Sequence, residues 1–368
     1  MSTRKQIGNS STTPADPHLS GTIGRNTGKP VTLQDVFGDP TPREDMLQYI
    51  RNNPDAAWEY DNLRPEDRER ILAYLCGERS LQILSDKFFK KILDPSAVPE
   101  RMESLLSAIY DEKVEIEAVL PPQGVMIQEG SQVVMDVLVR IAGGETVDIE
   151  MQRIGYLFPG ERTSCYLADM IIRQYEKTRG ERGKDFSYRD MKPVNLIVIM
   201  DQSTEEFHKT APEYLHRQET CYSSGLIVTT LEHVTYISLD TFRQKTENKM
   251  EGALDAWLTF FTAEEPSDVL ALINRWPMFL SMYQDIAAFR KNPEEVISMF
   301  SEALRIMDRN TTKYWIDSLK QEHDAMIQEN AAVKQENDNL RRKAENLEQT
   351  NADLEEQLAE YRNRYGVL

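Results

Sequence analysis

Residues Gln132 to Gln152 read QVVMDVLVRIAGGETVDIEMQ, two β-branched, apolar runs on either side of a Gly-Gly turn signal, and predict a β-hairpin. Strand side chains alternate, so Asp148, Glu150 and Gln152 share one face and Val147, Ile149 and Met151 the other. On the first strand Val133, Met135, Val137, Val139 and Ile141 form an apolar face opposite Val134, Asp136, Leu138 and Arg140. A slip of one residue would turn one apolar face away from the core, so the loop must hold an odd number of residues. A three- or five-residue loop is expected, such as 143–145 with a glycine in the left-handed bulge position. That loop sets Asp136 opposite Gln152 and diagonal to Glu150; a two-residue Gly-Gly turn would pair Asp136 with Met151 instead. Asp136 and Glu150 are thus expected on one face, near enough to share a divalent cation.

The polar row has an unremarkable reading as well, because the exposed face of an amphipathic sheet is normally polar. Two carboxylates beside an amide are also what hard Mg2+ takes in a phosphodiesterase, completed by water and substrate phosphate. Asp148, one residue pair further along, is expected to be solvated.

The 368 residues carry 43 Lys and Arg against 61 Asp and Glu, a formal net charge of -18. That balance argues against a protein gripping nucleic acid by overall charge, while leaving room for a local basic channel or metal-assisted contact. Cys76, Cys165 and Cys221 form no CxxC pair and read as buried thiols of a reducing compartment. No signal-peptide segment or run of about 20 apolar residues occurs, which predicts a soluble cytoplasmic protein. His208, His216 and His233 show no metal-ligand spacing with Cys221, and no Walker-type phosphate loop or serine-hydrolase elbow is present.

Five regions follow from composition and period. Residues 1–40, rich in Ser, Thr, Gly, Pro and Asp, suggest a loosely held arm. A helical cap is expected over 41–79, with Pro65 opening one helix (PEDRERILAYLC). An α/β (α+β) domain with a mixed sheet spans 80–244. Within it helices are expected over 81–93, 98–110 and 161–179, and strands at Val125 to Glu129, Lys192 to Met200, Leu226 to Thr230 and Val234 to Leu239. Residues 245–310 form a helical C-terminal subdomain whose Trp257, Phe260, Phe261 and Phe279 are expected to pack on the sheet.

The last region, 314–365, is a heptad repeat. Leu319, Met326, Val333, Leu340, Leu347, Leu354 and Tyr361 recur every seven residues, with Ile316, His323, Asn330, Asn337, Ala344, Asn351 and Leu358 three places before each. Asn at three of these positions favours an in-register two-stranded assembly, and a parallel homodimer would pair Glu329 with Lys334, Glu336 with Arg341 and Lys343 with Glu348. A hetero-partner or intramolecular helix is the alternative.

Six ordered pieces then add up: Asp86 to Lys90 (DKFFK), Asp136 with Val137, Glu150 to Gln152 (EMQ), Glu161 to Tyr166 (ERTSCY), Asp185 to Met200 (DFSYRDMKPVNLIVIM) and Leu254 to Phe261 (LDAWLTFF). Together they resemble the recombination-promoting nuclease and transposase family, a branch of the PD-(D/E)XK nucleases, over residues 86–262. The resemblance implies a restriction-endonuclease-like mixed sheet flanked by helices and DNA cleavage dependent on Mg2+ (or Mn2+). It also implies a catalytic site built from Asp136, Glu150 and Gln152, the first two as metal ligands. Gln152 stands where many relatives have Lys, and being neutral it orients water or phosphate without adding charge. Arg162, with Tyr166 one turn on, is the candidate to supply the missing cation; an ion pair and a packing contact are their plain roles. Asp86 is either a third acid or a helix N-terminal charge. The contrasting expectation is a nuclease-like fold with a weak or inactive site, kept as a binding or scaffold module.

Overall fold

The computed structural model describes residues 31–82, 86–121, 137–154, 159–245 and 250–366. Residues 1–309 and 310–368 form two compact units. In the first, four short helices lead: α1 (Leu33–Phe37), α2 (Arg43–Asn52), α3 (Pro54–Asp61) and α4 (Pro65–Cys76). Prolines at the first helical positions of α3 and α4 suit helix starts, since no intrahelical partner is lost there. The arm expected through Pro40 is anchored at its end. Thr32 and Asp35 form a reciprocal cap, and α1 buries Val36 and Phe37.

Helices α5 (Asp86–Ile92) and α6 (Pro99–Tyr110) then lead to β1 (Ile116–Val119), β2 (Val137–Ile141) and β3 (Thr146–Ile154). The chain crosses through α7 (Pro159–Arg182) to β4 (Val194–Gln202), then runs through α8 (Glu205–His208), β5 (Leu215–Arg217) and β6 (Glu232–Ser238). The sheet order is β1-β2-β3-β4-β6-β5. β1, β2 and β3 are antiparallel neighbours; β3, β4 and β6 run parallel; β5 closes the edge antiparallel to β6. This is the mixed, helix-flanked sheet expected. A parallel β3–β4 pair needs a long crossover, and α7 supplies it. β4 lies at the centre and is buried from Val194 to Asp201, as a strand covered on both faces should be.

The hairpin loop has three residues, Ala142 to Gly144: the Ile141 amide donates to Glu145 O (3.0 Å) and the Gly144 amide to Ile141 O (2.9 Å). Gly143 and Gly144 take φ of +95° and +87°, a region that favours glycine. The odd loop keeps the expected parity, but it sits one residue earlier than 143–145. The ladder therefore moves by two residues: Val137 faces Ile149 rather than Met151, and Leu138 faces Asp148. Face assignments survive, because a shift of two conserves parity. Asp136 lies outside the described residues, so its expected pairing with Gln152 does too.

Two further expectations change. Leu226 to Thr230 is not a strand; β6, its expected partner, is already paired on one side by β4 and on the other by β5. Cys76 is buried, but Cys165 and Cys221 are exposed. The strand expected at Val125 to Glu129 falls outside the described residues.

The sheet separates two apolar layers. On one face Val137, Val139, Val147, Ile149, Ile197, Ile199 and Ile237 join α1 to α6 and the helices α9 (Leu239–Gln244), α10 (Ala253–Thr262), α11 (Pro266–Arg275) and α12 (Phe279–Ala288). Trp257 anchors this layer. Its ring centroid lies 5.0 Å from that of Phe279 and 5.8 Å from that of Phe260, and its indole N–H donates to Ser104 Oγ (3.2 Å). Trp257→Ala should therefore lower the unfolding free energy by about 3–5 kcal/mol in urea titrations; a loss below about 1 kcal/mol would contradict this packing. On the other face Leu138, Leu196, Val198, Met200 and Val234 pack beneath Tyr166, Leu167 and Met170 of α7.

The last helix, α13 (Pro293–Tyr365), begins among the core residues, with Val296, Ile297 and Phe300 buried. The second unit, from Asn310, is helical to Tyr365 and exposes Leu319, Met326, Val333, Leu340, Leu347 and Leu354. Among the described residues no helix is long and apolar enough to cross a membrane.

Candidate active site

β3 sets Asp148, Glu150 and Gln152 in a row on the α7 side of the sheet. Their neighbours on β4 are Leu196, Val198 and Met200, and beyond these on β6 stand Val234, Tyr236 and Ser238. Apolar neighbours and the α7 roof withdraw the acids from water: Asp148 is 0% exposed and Glu150 5% exposed, while Gln152 is half-buried. The solvated Asp148 expected from sequence is thus wrong. The row passes under a helix near the middle of the sheet, where a polar alternation does not mean a wet face.

The start of α7 is fixed over this face by hydroxyls. Thr163 Oγ1 donates to Pro159 O (2.9 Å) and lies 2.9 Å from the Tyr236 hydroxyl, which reaches Pro159 O at 3.3 Å. Burial pushes the Tyr236 hydroxyl above the usual phenol range, with the Thr163 contact offsetting part of this, so it stays a neutral donor. Arg162 and Tyr166 are in contact: the guanidinium carbon is 4.8 Å from the ring centroid, and Arg162 Nη2 donates to the Tyr166 hydroxyl. Tyr166 is itself 2% exposed, within the apolar layer that surrounds Glu150's neighbour Val198. A guanidinium stacked on a buried ring loses little freedom on meeting an anion.

Of the residues expected at the site, Glu150 and Gln152 share the face that α7 covers, and Arg162 is held at the start of that helix. Asp136 immediately precedes Val137 in the chain, and Glu150 immediately follows Val137's partner Ile149; Asp136 itself is outside the described residues. Helix α5, which starts at Asp86, buries Phe88, Phe89 and Ile92 in the layer on the opposite side of the sheet.

A family model described as PD-(D/E)XK nuclease family transposase matches residues 84–313, from the start of α5 into α13. The chain belongs to this family. No curated protein and no solved structure matches it. The match extends past the resemblance over 86–262, so α11, α12 and the first turns of α13 lie within the family's span, whereas α1 to α4, which pack into the layer that Trp257 anchors, precede it.

Nucleases of this family generally use divalent metal ions. Among the described residues no group of three or more His, Cys, Asp or Glu side chains is arranged to hold one. The donor chemistry nonetheless fits. Glu150 offers oxygen only, and a hard cation needs one or two carboxylates, with water and substrate phosphate completing its shell. The sequence did not point to the burial of Asp148, nor to the Thr163–Tyr236 contact that fixes α7; only the topology brings strand β6 to the helix start.

Proposed function

We propose that this chain is a metal-dependent DNA endonuclease of mobile-element type, with Asp136 and Glu150 as ligands of Mg2+ or Mn2+. The observation that carries the reading is Glu150: a carboxylate 5% exposed beneath α7, in the part of the chain the nuclease family covers. Carboxylate oxygens are the hard donors that a divalent cation takes, with water and substrate phosphate completing its shell. Bound there, a divalent cation lowers the pKa of a water and offsets charge developing on phosphorus. Gln152, half-buried at the end of the row, orients a phosphate oxygen or the attacking water through its amide. Arg162 supplies the positive charge that Gln152 lacks, held by its contact with Tyr166.

Purified chain incubated with supercoiled plasmid should nick it with Mg2+ or Mn2+ and leave it intact in EDTA. An uncut plasmid under every metal would favour the second reading, a nuclease-like binding or scaffold module, to which the net charge of -18 and the neutral Gln152 both lean. If Gln152 limits turnover, Gln152→Lys should raise the nicking rate about tenfold at saturating metal, because a cation then faces the transition-state charge from a half-exposed position. An equal or lower rate would show that Arg162 already meets the need.

We also infer that the exposed heptad seam of α13 joins two copies in parallel, supported by the three Asn positions and the attractive Glu329–Lys334, Glu336–Arg341 and Lys343–Glu348 pairings. Two single-strand-cutting sites would then be available to one duplex.

A further inference from the structure

The last turns of α7 and the loop that follows differ in charge from the rest of the molecule. Residues 173–192 contain seven Lys and Arg against four Asp and Glu, in a chain of net charge -18. Here a cavity of about 300 Å³ opens between α7 and the β2–β3 turn, its lining including the cations Arg140, Arg173, Lys177 and Lys192 and the carboxylates Glu181 and Asp190. Part of that charge is already matched: Arg173 meets Asp169 at 2.6 Å, and Lys177 approaches Glu181 at 4.0 Å. Arg140, half-buried, and Lys192, exposed, have no carboxylate within 4.0 Å among the described residues. Beside the cavity Tyr175, Phe186 and Tyr188 form a ring cluster with centroids 5.4–6.4 Å apart, and Tyr188 is 78% exposed.

The cavity lies on the same face of the sheet as Glu150, since Thr146, also in its lining, and Glu150 have the same parity on β3 and Leu138 and Met170 belong to the α7 layer. Four residues of strand place it about 13 Å from Glu150, close to four base-pair rises of a duplex. A nucleic-acid strand running along this face would present phosphates to both places.

We propose that Arg140, Lys177 and Lys192 form an anchoring site for a backbone phosphate of the DNA strand, one that sets the register of the scissile bond at Glu150. The proposal rests on the nuclease reading for what happens at Glu150, but not for binding at the cavity itself. Arg140 and Lys192, without a carboxylate partner among the described residues, and Lys177, only loosely paired on the surface, are where counterion release can give affinity in an otherwise acidic chain, and an exposed aromatic beside them suits stacking with an unpaired base.

The test is fluorescence anisotropy of a labelled DNA duplex with the full chain in Ca2+, across a salt series. The pocket variant Arg140→Gln/Lys177→Gln/Lys192→Gln is compared with Arg51→Gln/Arg275→Gln/Lys291→Gln, which removes the same charge from exposed positions elsewhere. The pocket variant should bind at least about tenfold more weakly, with the salt slope reduced by about one, and the control variant should stay within about threefold of the parent. Lys177→Gln alone, on an exposed helix position, should show a smaller loss in the same direction if the triple variant folds poorly. Equal losses in both triple variants, an unchanged salt slope in the pocket variants, or a parent that binds no DNA would overturn the anchoring site. So would inorganic phosphate that binds the parent's pocket without weakening its hold on DNA at matched ionic strength, because the pocket would then be a free-phosphate site. Plasmid nicking is read separately: a parent that binds through the pocket without nicking sinks the nuclease reading and leaves the anchor standing.

Discussion

Glu150→Ala is expected to slow plasmid nicking by at least about a hundredfold while changing duplex affinity by less than about threefold. The charge stabilisation a bound metal provides is worth several kcal/mol, and each 1.36 kcal/mol is a factor of ten in rate. Affinity should survive because backbone contacts come mainly from Lys and Arg, and a carboxylate adds none of that attraction. The isosteric Glu150→Gln guards against a folding defect: it fills the same volume between Val198 and the α7 roof but gives up the charge. Both variants should melt within a few degrees of the parent by circular dichroism. Nicking that persists at the parental rate in either folded variant would remove Glu150 from the chemistry.

The second large effect concerns assembly. Leu340→Lys with Leu347→Lys should turn a dimer into a monomer in sedimentation equilibrium at micromolar concentration. Two leucines per chain put four into a paired seam, and burying each is worth about 1.5–3 kcal/mol, so the dissociation constant should rise by four or more powers of ten. In the single chain these side chains are exposed, Leu347 at 64%, so the substitutions cost the monomer nothing in packing. A variant that sediments like the parent would show that the seam joins nothing, or that another surface assembles the protein.

Much of this was readable from the hairpin outward. The alternation of Val147, Ile149 and Met151 with Asp148, Glu150 and Gln152 fixed the two faces of β3, and the run Val194 to Met200, without polar alternation, marked a strand covered on both sides. What failed did so for physical reasons. The glycine pair allowed more than one three-residue loop, and one residue of loop position moves the ladder by two. Asp148 looked solvated because a single sequence shows the alternation but not the helix laid across it. Leu226 to Thr230 has strand-like composition, yet β6, its expected partner, is taken on both sides, by β4 and by the three residues of β5. Helix α1 was hidden by the polar composition around it, since a five-residue helix has too little periodicity to stand out. The basic cavity was invisible for another reason. Its cations come from β2, α7 and the approach to β4, which only the parallel crossover brings together.

The measurement closest to the central claim is a calorimetric titration of Mn2+ into the whole chain, the Asp136→Ala variant and the Glu150→Ala variant. If both carboxylates hold one cation, the parent binds Mn2+ and each single variant loses at least about tenfold in affinity, since two carboxylates are the core of such an oxygen site. Equal Mn2+ affinity in all three proteins would contradict the shared metal site, whatever the plasmid does.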